Sequence, residues 1–417
     1  MIYVLNIQGE PIMPCSESKC RKLLKNNKAK IFQREPFTIQ LLFECESQTQ
    51  EINLGIDAGS KIIGISATTK TKELFSAEYQ LRNDISDLLK TRRDCRRTRR
   101  NRLRYRKPRF LNRVKTKHKG WLAPSVENKI NNHIKIIQKI HKILPITKII
   151  LELANFDIQK LNNPDINKWD YQKGERLGFE NVKSYVLYRD NYECQYCKGK
   201  SKDNRLEVHH IIQRKDDGSN NQENLMTLCS LHHKEVHEGK IELNVKGMKK
   251  KYKDATHMNI MKNFLYQRLI KLYSNIEITY GYITKQTRYN NNLPKEHRID
   301  ALCISGNPTA KQLHYWYFMK QVRKQNRQIH KNNILKGGKK KLNQSQYRVF
   351  NFRLFDKVKF EGKEYFIFGR RNSGYFDIRK LDGTKVNKGS ISYKKLKLIQ
   401  ERKSILIERR MAIPPLP

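Results

Sequence analysis

The sequence predicts a mixed α/β protein of several domains, in which a cysteine- and histidine-rich segment interrupts one α/β domain. Strand and helix patterns alternate before and after residues 192–237, and this segment holds three of the eight cysteines and five of the twelve histidines. From Lys311 onward, aromatic and basic residues with turn signals predict a mostly β C-terminal domain. A chain of 417 residues is long enough for two to four domains.

Hydrophobic periodicity locates the main elements. Residues 52–68 (INLGIDAGSKIIGISAT) predict two short strands joined by a tight glycine turn, and residues 146–154 (ITKIILELA) predict a buried strand. Apolar positions recur at helical spacing from residue 126 to residue 144. Two further helices are predicted, at residues 258–273 and in KEHRIDALCISG, and a further strand is predicted in IEITYGYIT.

The charge indicates a polyanionic partner. Lys and Arg number 86 against 40 Asp and Glu, a formal net charge of +46, which favours nucleic acid although a ribosomal protein or histone would share it. The basic stretches lack a broad apolar face, so a membrane is disfavoured. We expect a cytoplasmic protein, because the sequence shows no secretory signal, no span of about 18 apolar residues and no disulfide rhythm.

The Cys/His segment predicts a structural Zn²⁺ site. Cys194 and Cys197 form one C-x-x-C pair, and Cys229 and His232 form a second pair downstream. Two such pairs supply the four ligands of a tetrahedral zinc ion, with His237 as an alternative to His232. A purely structural zinc ribbon, with the extra histidines at the surface, is the alternative to a catalytic role for this segment.

The histidines between and after the zinc pairs add a second signal. LEVHHI, an asparagine in ENLMTLC and a further histidine follow in order, and this set resembles the ββα-metal motif of HNH nucleases. The resemblance implies that His210 is the general base and that His209, Asn224 and His233 hold Mg²⁺ or Mn²⁺. The family commonly has Asp where this chain has His209, which predicts a changed metal preference.

Four residues outside this segment point to a second nuclease site. Asp57 and Glu152 end predicted strands, and His297 and Asp300 share one helix face. Carboxylates gathered from separate elements suit a pair of Mg²⁺ ions. In this order the residues resemble the three-part RuvC nuclease of the RNase H-like fold. The resemblance implies that Asp57, Glu152 and Asp300 hold Mg²⁺ and that His297 acts near the attacking water.

An arginine-rich segment follows the first strand pair. In RRDCRRTRRNRLRYRKPRF, residues Arg93, Arg97, Arg100 and Arg104 would lie along one helix face. Repulsion at i,i+4 spacing would destabilise such a helix unless phosphates neutralised it, so we predict nucleic-acid binding over a solvated or disordered tail. The segment resembles the bridge helix of RNA-guided nucleases.

The combination of these parts, with the N-terminal PIMP motif at residues 11–14, resembles the transposon-associated IscB family. The boundaries that this resemblance implies are 1–50 (PLMP-like domain), 51–83 (RuvC segment I), 84–119 (bridge helix), 120–174 (RuvC segment II), 175–243 (HNH domain), 244–309 (RuvC segment III) and 310–417 (C-terminal domain). It also implies an ωRNA guide, a double-stranded DNA target with a displaced strand, and a monomeric prokaryotic ribonucleoprotein.

The predicted function is RNA-guided, Mg²⁺-dependent cleavage of DNA beside a short target-adjacent motif. The resemblance assigns the guide-paired strand to HNH and the displaced strand to RuvC. Arg370 and Arg371 in the C-terminal domain are candidates for contacting phosphates or base edges, although that region also fits a plain SH3-like packing domain. Two alternatives stay open: a protein-only HNH homing or restriction endonuclease, and a catalytically weak guided nucleic-acid-binding protein.

Overall fold

The protein is described by a computed structural model that covers residues 1–46, 49–103, 120–153, 176–201, 203–216, 218–245, 252–323 and 346–412. The chain forms two compact units. The first combines Met1–Ala154 with Ile260–Pro417, and the second is Asn155–Asn259, so the second unit is inserted in the chain of the first. Within the described ranges no helix has the length and apolar character needed to cross a bilayer.

The described ranges contain the following strands and helices. In chain order the strands are β1 (Ile2–Leu5), β2 (Pro11–Cys15), β3 (Ala29–Gln33), β4 (Thr38–Leu41), β5 (Asn53–Asp57), β6 (Ile62–Thr68), β7 (Glu73–Gln80), β8 (Lys148–Glu152), β9 (Leu206–His210), β10 (Leu225–Cys229), β11 (Ile276–Thr279), β12 (Tyr315–Gln321), β13 (Lys357–Phe360), β14 (Lys363–Arg370), β15 (Tyr375–Arg379), β16 (Ile391–Ser392), β17 (Lys397–Gln400) and β18 (Ile405–Met411). The helices are α1 (Glu17–Lys25), α2 (Ile85–Leu103), α3 (Pro124–His141), α4 (Val182–Arg189), α5 (Ser230–Glu238), α6 (Lys253–Leu269), α7 (Gly281–Asn290) and α8 (His297–Ile304).

The N-terminal region is a small four-stranded sheet in the order β2-β1-β4-β3, with helix α1 following β2. The PIMP motif forms most of β2, which lies at the edge of this sheet. Proline cannot donate a ladder hydrogen bond, so Pro11 and Pro14 suit an edge strand. Ser16 then caps α1 by accepting a hydrogen bond from the backbone N–H of Lys19.

The largest sheet has seven strands in the order β11-β8-β5-β6-β7-β12-β18. Strands β5, β6 and β7 form an antiparallel meander, whereas β8 pairs parallel with β5 and β11 pairs parallel with β8. The predicted strands in 52–68 and 146–154 are confirmed as β5, β6 and β8. In both β5 and β8 the three middle residues are buried, as expected for strands whose sequences are continuously apolar.

Two predicted boundaries changed. The helix expected at 126–144 is α3, which begins at Pro124 because proline suits the first turn, where its missing N–H leaves no bond unmade. The strand expected across IEITYGYIT was wrong in its second half. Only Ile276–Thr279 is a strand, and Gly281 begins α7.

The C-terminal region is mostly β, as predicted, but it is not wholly separate from the central sheet. Strand β12 pairs parallel with β7, and β18 pairs antiparallel with β12. The aromatic run of β12 is largely buried, which favours pairing inside a sheet. Between them, β13–β17 form a five-stranded sheet in the order β16-β15-β14-β13-β17, with Val358, Ile367 and Phe376 in its own core.

The inserted unit contains an antiparallel pair, β9 and β10, followed directly by helix α5. Its apolar centre includes Leu228 and Met226 together with Cys194 and Cys229. This is the ββα arrangement expected for the Cys/His segment.

Helix α4 carries a capping box, in which the Asn181 side chain accepts from the backbone N–H of Ser184.

Candidate active sites

Asp57 and Glu152 end neighbouring parallel strands and are direct register partners on β5 and β8. The carboxyl ends of parallel strands meet at one edge of a sheet, which is where α/β proteins commonly bind ligands. The two carboxylates therefore come from positions far apart in sequence to the same edge.

Helix α8 packs directly on the backbone of β5 and β6 at two glycines. A Cβ on Gly55 would lie 2.1 Å from the carbonyl oxygen of Ala301, and a Cβ on Gly64 would lie 1.9 Å from that of His297. Any larger residue would push the helix away. This approach leaves His297 Nδ1 2.6 Å from Asp57 Oδ2.

Helix α7 carries groups that hold the other two carboxylates. Thr284 Oγ1 donates a hydrogen bond to Glu152 Oε2, and Arg288 Nε lies 3.0 Å from Asp300 Oδ1. A Cβ on Gly281 would lie 3.1 Å from Glu152 Oε1. Positions 281, 284 and 288 share one face of the helix, and this face touches the carboxylates.

The electrostatics of this carboxylate site favour a cation. Burial raises the pKa of Glu152, the Thr284 hydrogen bond opposes that shift, and the charge of Asp57 adds to it. Burial and then repulsion from Asp57 also raise the pKa of Asp300, against the effect of Arg288. The hydrogen bond to Asp57 raises the pKa of His297. Oxygen ligands with excess negative charge fit Mg²⁺ or Mn²⁺.

The spacing of these carboxylates is wider than that of a single tight ligand set. In the described part of the chain, only two groups of three or more His, Cys, Asp or Glu ligand atoms lie within 4.8 Å of one another, and the carboxylates are not one of them. Two-metal sites place their ions about 3.5–4 Å apart, so their ligands spread over a larger area.

The first tight group is the predicted zinc quartet, Cys194, Cys197, Cys229 and His232. His232 Nδ1 lies 2.9 Å from Cys229 Sγ and 3.8 Å from Cys194 Sγ. Tetrahedral zinc with bonds of about 2.0–2.3 Å separates its ligand atoms by roughly 3.3–3.8 Å. Burial opposes ionisation of Cys197, but hydrogen bonds with Ser201 and the neighbouring thiols lower its pKa to about 6. The donor set fits structural Zn²⁺.

The second tight group consists of His209, His233 and His237. His237 Nε2 lies 3.3 Å from His233 Nε2, and the His209 ring centroid lies 5.2 Å and 5.0 Å from those of His233 and His237. Glu207 Oε2 lies 2.8 Å from Nδ1 of His233 and orients that ring. We name these three residues the histidine cluster.

Two imidazoles of the histidine cluster have pKa values below the ordinary histidine value. Burial, and then the neighbouring imidazoles, lower the pKa of His209 to about 4. Burial likewise lowers the pKa of His233, although Glu207 opposes it. The buried Nδ1 of His209 has no hydrogen-bond partner among the described residues. A buried ring nitrogen without a partner, close to two further imidazoles, is a ligand set for a divalent metal ion.

Asn224 does not point at the histidine cluster as a ligand. It is fully buried, its Oδ1 accepts from the backbone N–H of Ile212, and its Nδ2 donates to the carbonyls of Ile212 and Ser219. The amide therefore ties together the loop between β9 and β10. The role of Asn224 as a metal ligand stays a prediction, and His237 is the residue that lies within reach of His209 and His233.

His210 is half-buried at the end of β9 and lies outside the histidine cluster. Its Nε2 lies 3.0 Å from Asn220 Oδ1 and 3.2 Å from Arg214 Nε. Successive residues on a strand point to opposite faces, so His209 turns inward while His210 turns outward. An imidazole not engaged with a metal can accept a proton, which suits the predicted general base.

The arginines predicted to bind nucleic acid differ in their exposure and in their hydrogen-bond partners. Arg93 is exposed on α2, Arg97 and Arg100 lie in α2 where the backbone alone is described, and Arg104 lies outside the described residues. Arg370 donates to the carbonyls of Gln346, Tyr347 and Phe352, so its guanidinium holds a backbone turn. Arg371 is exposed, with one bond to Ser390 Oγ, and stays a candidate.

Sequence reasoning missed several residues of these sites. Thr284 went unnoticed because it was placed at the end of a predicted strand, and Arg288 lies in a stretch to which no element was assigned. His237 was considered only for zinc, although its i,i+4 spacing from His233 places both rings on one face of α5. That spacing was the signal that could have identified the histidine cluster.

Comparisons with known families agree with these two regions. Residues 194–239 match the HNH endonuclease family, and residues 2–174 match the family described as RRXRR protein. The chain thus carries the domain of a metal-dependent nuclease. No protein among those with curated descriptions matches the sequence.

Solved structures of Streptococcus thermophilus Cas9 are similar to part of the chain. One, in complex with the AGAA PAM, is 14% identical with a TM-score of 0.34, and covers 51% of this chain and 30% of its own. Another, with the GGAA PAM, is 14% identical with a TM-score of 0.36, and covers 52% of this chain and 30% of its own. The matched region thus spans under a third of those Cas9 chains.

Proposed function

We propose that this chain is an RNA-guided DNA endonuclease of the IscB type, with one nuclease site in each compact unit. The observation that carries the proposal is the co-occurrence of an HNH-family segment and a separate carboxylate site in one chain. A protein-only HNH endonuclease leaves the carboxylate site without a purpose.

The carboxylate site supports assignment to the RNase H-like fold that includes RuvC nucleases. Strands β5, β6 and β7 form a meander, and β8 and β11 add to its first strand in parallel. The acidic residues lie at the ends of β5 and β8 and on α8. When bound, Mg²⁺ would stabilise the attacking and leaving oxygens of the phosphodiester. Asp57, Glu152 and Asp300 would hold it.

His297 acts at the same site through its proton. Its Nδ1 lies 2.6 Å from Asp57 Oδ2, which places the imidazole beside a carboxylate that would hold the cation. From this position the ring would orient the attacking water or take its proton. We assign this site to the displaced strand.

At the HNH site, His209, His233 and His237 would hold the cation and His210 would take the proton from the attacking water. Three imidazoles suit zinc, copper, iron or nickel better than magnesium or manganese, which prefer oxygen ligands. The metal preference of this site should therefore differ from that of the carboxylate site. We assign it to the guide-paired strand.

RNA guidance is supported by charge and by the arginine-rich helix. With a net charge of +46 the chain needs a large polyanion, and a long structured RNA would supply it. Arg93 on α2 and Arg371 beyond β14 are exposed for phosphate contacts. Sequence reading would then be delegated to base pairing, and the protein would read only a short flanking motif.

The deciding experiment is to co-express the protein with its flanking genomic DNA and to sequence the RNA that copurifies. A single abundant RNA with a variable end would support guidance, and that end would define a DNA target for strand-specific cleavage assays. Recovery of heterogeneous cellular RNA only, together with site-specific cleavage by protein alone, would instead identify a direct-reading endonuclease.

A further inference from the structure

Helix α7 presents a second face beside the one that holds the carboxylates. Positions 282, 285 and 289 recur at helical spacing, offset by one residue from 281, 284 and 288. Tyr282 and Tyr289 are 69% and 61% exposed, and Tyr280, which precedes the helix, is 52% exposed. Three exposed aromatic rings beside an acidic site offer flat faces on which a ligand can stack.

The rings are arranged as stacking surfaces. Tyr280 and Tyr282 are nearly parallel, with an interplanar angle of 10° and centroids 6.2 Å apart. Lys285 Nζ lies 5.7 Å from the Tyr289 ring centroid, and the Arg288 guanidinium carbon lies 5.1 Å from it. The surface thus combines flat aromatic faces with cations.

One residue connects this surface to the carboxylates. Arg288 contacts the Tyr289 ring and also lies 3.0 Å from Asp300 Oδ1. Thr284, one turn earlier on the helix, donates to Glu152. A ligand stacked on the tyrosines would therefore lie next to groups that hold two of the three acidic residues.

We propose that Tyr280, Tyr282 and Tyr289 form a stacking platform for unpaired bases of the DNA strand that is cut at the carboxylate site. Aromatic faces stack on any base, and neighbouring cations neutralise phosphates, so the pair of features selects single-stranded nucleic acid. In a duplex the bases are already stacked on one another. The inference rests on the proposed function of the carboxylate site, because it identifies the form of that site's substrate.

The first test measures binding by the full-length protein at raised salt, where phosphate contacts weaken. The probes are a fluorescein-labelled oligo(dT) of about 15 nucleotides and an abasic oligomer of equal length. Stacking contributes about 1–3 kcal/mol per base, so the Tyr280→Leu/Tyr282→Leu variant should bind oligo(dT) about tenfold or more weakly. It should bind the abasic oligomer as the unaltered protein does.

Two control variants separate stacking from general effects. Tyr280→Phe/Tyr282→Phe keeps both rings and should retain oligo(dT) affinity. Tyr375→Leu removes a tyrosine that is 50% exposed in the five-stranded sheet and should change neither probe. Equal oligo(dT) affinity of the leucine and phenylalanine variants would overturn the proposal.

The second test locates the contact directly. An oligonucleotide containing 5-iododeoxyuridine is photo-crosslinked to the protein, and the crosslinked peptides are identified by mass spectrometry. We expect crosslinks at residues 280–289, lost in the leucine variant. Crosslinks confined to other regions would contradict the proposal.

Asp57→Ala distinguishes failure of the inference from failure of the proposed function. If Asp57→Ala abolishes nicking of one strand while the leucine variant binds and nicks normally, the carboxylate site is a nuclease and the platform is wrong. If the leucine variant loses oligo(dT) binding while Asp57→Ala changes no cleavage, the platform stands and the nuclease assignment fails.

Discussion

The carboxylate site and the histidine cluster differ in the ligands that they offer to a cation: charged oxygen atoms in the first and imidazole nitrogen atoms in the second. Burial, and then repulsion from Asp57, raise the pKa values of Glu152 and Asp300, so a bound cation would stabilise the charged form of both carboxylates. In the histidine cluster, burial lowers the pKa of His209 and of His233, which favours neutral rings, and His237 is exposed. The first site should respond to the charge of an ion, and the second to its preference for nitrogen ligands.

Removing one reacting group from each site gives the largest expected effect. Asp57→Ala should abolish cleavage of the displaced strand, and His210→Ala should slow cleavage of the guide-paired strand by about 10²–10⁴-fold. Strand-specific gel assays with separately labelled strands measure both, and the unaffected strand is the internal control. The double variant should be inactive. The two-site hypothesis fails if either single variant still cuts both strands at the original rate.

Metal titration separates the ligand sets. In zinc-loaded protein, His237→Ala should weaken Ni²⁺ binding by about 10–100-fold, because it removes one of three imidazole ligands. Calorimetric titration provides the measurement. His210→Ala, a neighbouring histidine outside the cluster, should leave Ni²⁺ affinity unchanged, as should Asp57→Ala. An equal loss in His210→Ala would mean that the outer histidine is a ligand.

Asn224 tests whether the HNH loop needs a structural amide or a metal ligand. Asn224→Ala leaves backbone groups of Ile212 and Ser219 without their buried partner, which costs about 2–4 kcal/mol of unfolding free energy. Urea denaturation measures this loss. Asn224→Asp supplies a carboxylate but lacks the amide donor, so it should also be destabilised. Tighter Mg²⁺ binding with undiminished stability in Asn224→Asp would instead support the ligand role.

The carboxylate site should bind Mg²⁺ more tightly as pH rises. The hydrogen bond between His297 and Asp57 raises the pKa of the His297 imidazole. This pair therefore stabilises the folded protein fully below pH about 6.5, the ordinary histidine pKa, and the stabilisation is lost as the pH rises through the raised pKa. The imidazolium competes with a cation for Asp57. Calorimetry between pH 6 and 8.5 should show a several-fold gain that His297→Asn reduces. A pH-independent affinity in the unaltered protein would contradict this competition.

The smallest expected effect is on stability. Glu152→Gln keeps the acceptor for Thr284 but removes a charge whose pKa is raised by burial and by its acidic neighbours. We expect the melting temperature of the metal-free protein to increase by about 1–3 °C at neutral pH, with Mg²⁺ stabilisation lost. Differential scanning calorimetry without and with Mg²⁺ tests both statements. A lower melting temperature without metal would show that the carboxylate is not strained.

Local patterns could be predicted because their information lies in consecutive residues. Continuous apolar runs predicted strands β5, β6 and β8, and the C-x-x-C and C-x-x-H spacings predicted the zinc quartet. The end of β11 was misplaced because seven of the nine residues Ile276–Thr284 are β-branched or aromatic. Strand and helix cannot be told apart in such short runs by periodicity alone.

By itself, the sequence determined the chemistry that this protein has available: cysteine and histidine ligands in one segment, acidic residues at strand ends, and a large excess of positive charge. Tertiary structure decided how those groups are used. Backbone packing at Gly55 and Gly64 brings His297 to Asp57, and the fold buries Asn224 as a loop tie while it gathers His237 with His209. These outcomes depend on steric fit and burial between distant residues, which no local pattern of residues encodes.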